Sequence, residues 1–212
     1  MIEIENVSKS FKGRKVLDQV NLKIDRGTIC GLIGRNGSGK TVLMKCICGF
    51  MIPDNGTIKI RGKKMVKGED ITGNMGIIIE TPGFLESESA KKNLLYLAKL
   101  NGLISSKEID HFIRKVGLNP EDKKKVKNYS MGMKQRLGIA QAIMENPDII
   151  LLDEPMNGLD EKGVDEMRKI FYQLKEEGKT ILMASHNPED IKSLCDKVYK
   201  MDAGKLIEQM RL

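Results

Sequence analysis

The chain opens on a two-residue rhythm, Ile2, Glu3, Ile4, Glu5, which predicts a half-buried strand over Ile2 to Val7. Val20 to Ile24 and Thr28 to Ile33 carry alternating or continuous apolar residues. Lys12-Gly13 and Arg26-Gly27 punctuate them as turns. The third strand runs directly into glycines, and beyond them Thr41 to Cys48 reads as a helix closed by Gly49, with Pro53 as a stop. Asn55-Gly56 predicts a turn into a short strand, Thr57 to Ile60, and Gly62 a second turn, together an antiparallel hairpin. Between Ser87 and Asn119 the period changes. Leu94, Leu95, Leu97, Ala98 and Leu100, then Ile109, Phe112, Ile113 and Val116, recur at helical spacing, as an inserted helical block would. Met131 to Glu145 predicts another helix, leading through Asn146-Pro147 into a fully apolar strand, Ile149 to Leu152. Val164 to Glu177 is an amphipathic helix closed by Gly178, and Thr180 to Ala184 a second buried strand. Strands alternating with helices in this half predict a parallel sheet covered on both faces.

Composition narrows the class without naming it. A chain of 212 residues, 40% hydrophobic and 31% charged, is long enough for one α/β domain with a core of its own. Its apolar runs, such as Ile149 to Leu152 and Ile77 to Ile79, are far short of the ~20 residues a membrane-spanning helix needs. The start lacks the basic and apolar blocks of a signal peptide, so a cytoplasmic protein is expected. Cys30, Cys46, Cys48 and Cys195 form no CxxC pair, and read as buried thiols. The net charge of +7 is densest at Lys123 to Lys127, with no interleaved aromatics for base stacking; nucleic acid is not expected as a partner.

The chemistry begins where the third strand ends. Gly34, Arg35, Asn36, Gly37, Ser38, Gly39, Lys40 and Thr41 match G-x-x-x-x-G-K-[ST], after a strand and at a helix start as that motif requires. Its glycines let successive N–H groups curl around phosphate oxygens, Lys40 reaches the β and γ phosphates, and the Thr41 hydroxyl can ligate magnesium. The four fixed positions arise by chance in about one chain of this length in a hundred. Asp153 closes an apolar strand, where a carboxylate is delivered to the ligand crevice of a parallel sheet. Glu154 is placed to orient or deprotonate an attacking water; the bland alternative, a helix cap before Pro155, weakens beside a phosphate loop. Ser130 and Gly132, within Tyr129 to Arg136, suggest a capped helix start that can hold a phosphate, though a plain surface helix fits the same residues. His186, ending another apolar strand, can sense a phosphate or be structural. Phe11 taken alone reads as core.

In this order the motifs resemble the nucleotide-binding subunit of ATP-binding cassette (ABC) transporters, over essentially the whole chain. The resemblance implies an α/β P-loop NTPase fold of ABC type: a mostly parallel core sheet, an N-terminal antiparallel β subdomain and an inserted helical subdomain. Residues 1–212 would form a single ATP-binding domain, with the helical subdomain at roughly 84–145 inserted in the RecA-like core. ATP and Mg2+ are the implied cofactors. Phe11 would stack on adenine, Asn157 to Asp160 would cross a dimer interface, and His186 would contact the γ phosphate. Ser130 and Gly132 would close over ATP held by the Gly34 to Thr41 loop of a second subunit, identical or closely related. The permease partner would be a separate transmembrane subunit, holding this chain peripherally at the inner face of the membrane.

Two departures from the family pattern stand out. Glu80 occupies the usual glutamine position in Ile77 to Phe84; it can still bind magnesium but cannot donate a hydrogen bond. Met131 and Met133 replace the first glycine and the glutamine of the signature motif. Both departures are similar to the bacitracin and lantibiotic resistance branch, whose members export and often carry a longer C-terminal extension than a chain ending soon after Gly204. The competing functions are a non-transport ABC ATPase acting on nucleic acid or ribosomes, and a binding-only regulatory subunit. The first lacks its usual heptads, cysteine pairs or repeats here, and Glu154 with His186 argue against the second.

Overall fold

A computed structural model describes residues 1–66, 75–187, 189, 191 and 193–211. The chain begins with β1 (Ile2–Phe11) and β2 (Arg14–Ile24), joined at Lys12-Gly13. Both turn residues have positive φ, 47° and 79°, as a tight two-residue hairpin requires. β4 (Asn55–Ile60) pairs antiparallel with the other edge of β1, and β5 (Lys63–Lys64) closes a four-stranded sheet in the order β2-β1-β4-β5. This is the expected N-terminal antiparallel sheet, with one correction. Asn55-Gly56 is not a turn but the start of β4; Asn55 faces Ser8 across a register shift. Gly56 is needed there, because a Cβ would lie 2.5 Å from the Asn6 carbonyl.

The second sheet has six strands in the order β10-β9-β3-β8-β7-β6. Its β3 (Ile29–Ile33), β6 (Met75–Ile78), β7 (Ile149–Asp153), β8 (Thr180–Ser185) and β9 (Lys197–Asp202) run parallel, and β10 (Lys205–Arg211) is an antiparallel edge. The period of two sorts the central strand: Ile149 and Leu151 enter a core shared with β1, β2 and α1 (Lys40–Ile47). Ile150 and Leu152 enter the other, with α4 (Met131–Ile143) and α5 (Glu161–Glu176). Each face of the sheet is therefore covered. Burial pushes the Cys46 and Cys195 thiols up to about 11 and about 12, so they behave as inert apolar groups.

Between β6 and β7 lie α2 (Ala90–Asn101), α3 (Ser106–Lys115), a 3-10 turn (Val126–Asn128) and α4. Leu94, Ile109, Ile113 and Leu137 join these helices to the sheet core. Buried Asn93 ties the preceding loop to α2 by exchanging hydrogen bonds with the Leu85 backbone at 2.7 and 3.1 Å. α5 starts at Glu161, three residues before the predicted start, because Asp160 caps it by accepting from Gly163 N–H at 2.9 Å.

Candidate functional site

The phosphate-type loop is shaped by close backbone approach. A Cβ at Gly34 would lie 2.3 Å from the Met201 carbonyl oxygen, and one at Gly39, whose φ is 110°, would lie 2.8 Å from the Val16 carbonyl oxygen. Only glycine fits either place. Among the described α-helices, α1 alone has no side-chain N-cap; Ser89, Ser105, Ser130 and Asp160 cap the other four. Its first turn lines a cavity of about 210 Å³, with Asn36, Gly37, Ser38 and Gly39 of the loop and Asp153 and Glu154 also in the lining. Lys40 is buried, and its ammonium donates to the Gly34 and Arg35 carbonyls at 2.7 and 3.4 Å. Ser38 Oγ is buried without a hydrogen-bond partner. Free amides, a cation holding loop carbonyls and an orphan hydroxyl form a cradle that fits a phosphate chain.

Asp153 ends β7 beside this cradle and accepts from the Thr41 hydroxyl at 2.6 Å. Burial raises the Asp153 carboxyl above its ordinary value. The Thr41 bond opposes that rise, Glu154 adds to it, Lys40 opposes it, and Glu80 adds a smaller increment. A buried carboxylate, short of positive charge and paired with a hydroxyl, is the donor chemistry that a hard divalent cation satisfies. Glu154 follows at φ 51°, a left-handed conformation that costs a non-glycine residue about 1–3 kcal/mol and persists only where its surroundings hold it. Its N–H donates to the Ala184 carbonyl at 2.9 Å. Its Oε2 lies 2.8 Å from His186 Nδ1, so the ends of β7 and β8 bring this carboxylate and imidazole together.

The other expected residues lie further out. Glu80, also at positive φ, pairs with Lys45 of α1 at 2.6 Å rather than standing free beside Asp153. Phe11 is not in the core, as its residue type alone predicts, but exposed at the end of β1, with Lys9 Nζ 5.8 Å from its ring centroid. Ser130 caps α4, accepting from Met133 N–H at 3.2 Å. Gly132 presses on the loop after Glu154; a Cβ on it would lie 2.7 Å from the Gly158 carbonyl oxygen. Among the described residues lining the phosphate cradle, neither Ser130 nor Gly132 appears. Sequence reasoning missed two participants. Lys45 lies one turn beyond Thr41 on α1, a spacing that could have pointed to it, while nothing local marks Gln135, which reaches the Glu154 and Pro155 carbonyls.

Comparison with known proteins places this arrangement. Residues 17–157 match the family model described as ABC transporter. The chain is 45% identical to the uncharacterized ABC transporter ATP-binding protein YybJ of Bacillus subtilis over 97% of its own length and 94% of the relative's. It is 40% identical to the bacitracin transport ATP-binding protein BcrA of Enterococcus faecalis, over 100% of this chain and 70% of that one. The fold superposes on the dimeric structure of MJ0796, a bacterial ABC transporter cassette, with a TM-score of 0.93 at 25% identity, covering 100% and 99% of the two chains. With a glycine cradle, a buried aspartate and a strained glutamate in the family's order, the chain belongs to the ABC transporter family, as an ATP-binding subunit that hydrolyses ATP.

Proposed function

We propose that this chain is one domain, with the helices of residues 84–145 inserted in a RecA-like core. In this reading two copies, or one copy and a close relative, close around two ATP molecules and drive export through a separate transmembrane permease. The observation that carries the reading is the division of the phosphate-binding groups. The cradle and the Ser130–Gly132 helix start both have donors suited to phosphate, yet the second does not line the cavity of the first. A second subunit supplies the missing wall. Because no described helix is long and apolar enough to cross a membrane, moving a solute across one needs the permease. That partner would hold the chain at the cytoplasmic face of the membrane. The name of BcrA, a bacitracin transport protein, supports transport as the outcome.

Within this site the N–H groups of residues 34–41 and the Lys40 ammonium bind the phosphates, Phe11 stacks on adenine, and Asp160 lies at the subunit interface. Thr41 and Asp153, with Glu80 once released from Lys45, are the residues that would hold Mg2+, which supplies charge neutralisation at the phosphates when bound. Glu154 accepts a proton from the attacking water as the water oxygen bonds to the γ phosphorus and the bond to the ADP oxygen breaks. His186 fixes that carboxylate through its 2.8 Å contact and faces the γ phosphate. The test is the mass of the Glu154→Gln protein by light scattering, with and without ATP. Conversion of monomer to dimer is expected, because ATP binds but is not cleaved; a protein that binds ATP and stays monomeric at saturation overturns the pairing of two copies, and one that also stays monomeric when mixed with a closely related subunit overturns the shared-site reading.

A further inference from the structure

The strained Glu154 backbone is held from two sides, and one of them is unexplained by the roles above. Gln135 sits one turn into α4, buried, and its Nε2 donates to the Pro155 carbonyl at 3.1 Å and the Glu154 carbonyl at 3.4 Å. Both partners are carbonyl oxygens, which only accept, so the orientation of the amide is fixed by its environment. Further along the same loop, Gly158, at φ 77°, has no room for a Cβ because the Met131 side chain would lie 2.6 Å away. On its other side α4 meets the loop after Glu80, where a Cβ on Gly138 would lie 2.7 Å from Pro82. One helix therefore touches the loops of Glu154 and of Glu80, and carries Ser130 and Gly132 at its N-terminal end.

We infer that Gln135 is a positioning residue for Glu154: its amide locks the carbonyls of residues 154 and 155 to α4, so that movement of the α4 N-terminus is transmitted to the catalytic carboxylate. The inference rests on the role proposed for Glu154. Its physical content is that the left-handed conformation needs an external hold on both peptide units. β8 grips the N–H side through Ala184; on the carbonyl side Asn157 N–H donates to the Glu154 oxygen at 3.2 Å from within the loop, and Gln135 ties that turn to α4. Carboxylate aim then depends on the register between α4 and this loop. When α4 engages nucleotide on the neighbouring subunit, the same displacement reaches Glu154 in its own chain. A group that aims a general base changes the turnover number and leaves nucleotide binding alone.

The experiment is Gln135→Met, which keeps the length of the side chain and removes both donors. Expected is a fall in kcat of about tenfold or more, with the KM for ATP within about twofold of wild type. In nucleotide-free protein the chain's two histidines offer a reading independent of turnover. The ring Hε1 resonance of His186, which touches Glu154, is expected to move at fixed pH while that of His111 stays in place. An unchanged kcat overturns the inference, as does a stationary His186 resonance. If kcat falls together with ATP-driven dimerisation of the Glu154→Gln background while His186 stays in place, Gln135 merely holds α4, which also overturns it. Should Gln135→Met fail to fold, Gln135→Asn decides by the same two measurements. It keeps an amide but is one methylene short of the two carbonyls, so a kcat within about twofold of wild type, or a stationary His186 resonance, refutes the positioning role. A wild-type chain without ATPase activity would count against the proposed function, whereas the resonance measurement would still judge Gln135.

Discussion

Gly132→Ala separates folding from assembly with a single methyl group. The added Cβ would lie 2.7 Å from the Gly158 carbonyl oxygen and 3.6 Å from Leu159 Cδ2, so the first turn of α4 must lift by about half an ångström to restore ordinary contact. Overpacking of this kind costs about 1–3 kcal/mol. Alanine recovers up to about 1 kcal/mol of that as the better helix former. The net loss is about 0–3 kcal/mol, which for a chain of this size lowers Tm by no more than about 12 °C. Assembly pays differently. If the amides and hydroxyl at this helix start hold the phosphates of the partner's ATP, displacing them forfeits one charge-assisted hydrogen bond of about 1.5–3 kcal/mol at each site. Two sites per dimer make about 3–6 kcal/mol, or about 10²–10⁴ in the dimer dissociation constant. Light scattering of Glu154→Gln beside Gly132→Ala/Glu154→Gln, with ATP titrated, reads this directly, and a thermal melt accompanies it. The double variant is expected to stay folded and monomeric where the single variant is dimeric. Dimerisation of both within about threefold of the same ATP concentration would refute the reasoning, because the helix start would then carry no phosphate contact.

Asp153→Asn is expected to stabilise the nucleotide-free and metal-free protein at neutral pH. The folded Asp153 carboxyl is raised above 3.8, chiefly by burial, so its contribution is fully present below that value and is lost as the pH rises through the folded one. The advantage of asparagine in Tm should therefore narrow as the pH falls toward 4, and a pH-independent gap would contradict it. Gly76→Ala places a Cβ 1.9 Å from the Ala142 carbonyl oxygen, where both partners are backbone and neither can rotate away. A loss of about 3 kcal/mol or more, about 6–12 °C in Tm, is expected in a thermal melt, and a loss under about 2 °C would show that the β6–α4 spacing is softer than drawn. Glu80→Gln removes the pairing with Lys45, whose side chains are 27% and 63% exposed for Lys45 and Glu80. Solvent limits such a pair to about 0–1 kcal/mol, so calorimetry should find a drop of under about 4 °C that disappears in high salt. A large, salt-insensitive drop would mean that Glu80 is buried in another interaction.

The parts of this protein that were legible in its sequence are those whose constraint is local. The cradle announces itself because close approach at Gly34 and Gly39 forbids any side chain, and because Lys40 and Thr41 follow at fixed offsets. The β7 strand is legible because both its faces are buried, leaving no polar residue before Asp153. Where a face meets solvent the signal thins. β1 runs on through Ser8, Lys9 and Ser10 to Phe11, past Val7, where the regular apolar rhythm that predicts the strand stops. The hairpin of β9 and β10 was missed for the same reason: Lys197 and Lys200 dilute its alternation, and its turn at Ala203-Gly204, with φ 44° and 81°, carries only one glycine. Asp160 had a second role that the chain does disclose, since an aspartate three residues before Gly163, at the edge of an amphipathic stripe, is a capping pattern.

What no local rule could supply is the contact between distant segments, and there the chemistry acquires its geometry. Lys45 and Glu80 are 35 residues apart, Glu154 and His186 are 32 apart, and Gln135 reaches carbonyls 19 and 20 positions away. Each of these joins a group able to bind or react to one that sets its orientation. The sequence therefore identifies the reacting groups more readily than it identifies what aims them. The strained φ of Glu154 shows why the second set matters. A carboxylate on a backbone held against its own preference is aimed only as well as its anchors hold; Asn157 supplies one from the same loop, and the other two, Ala184 and Gln135, belong to β8 and α4.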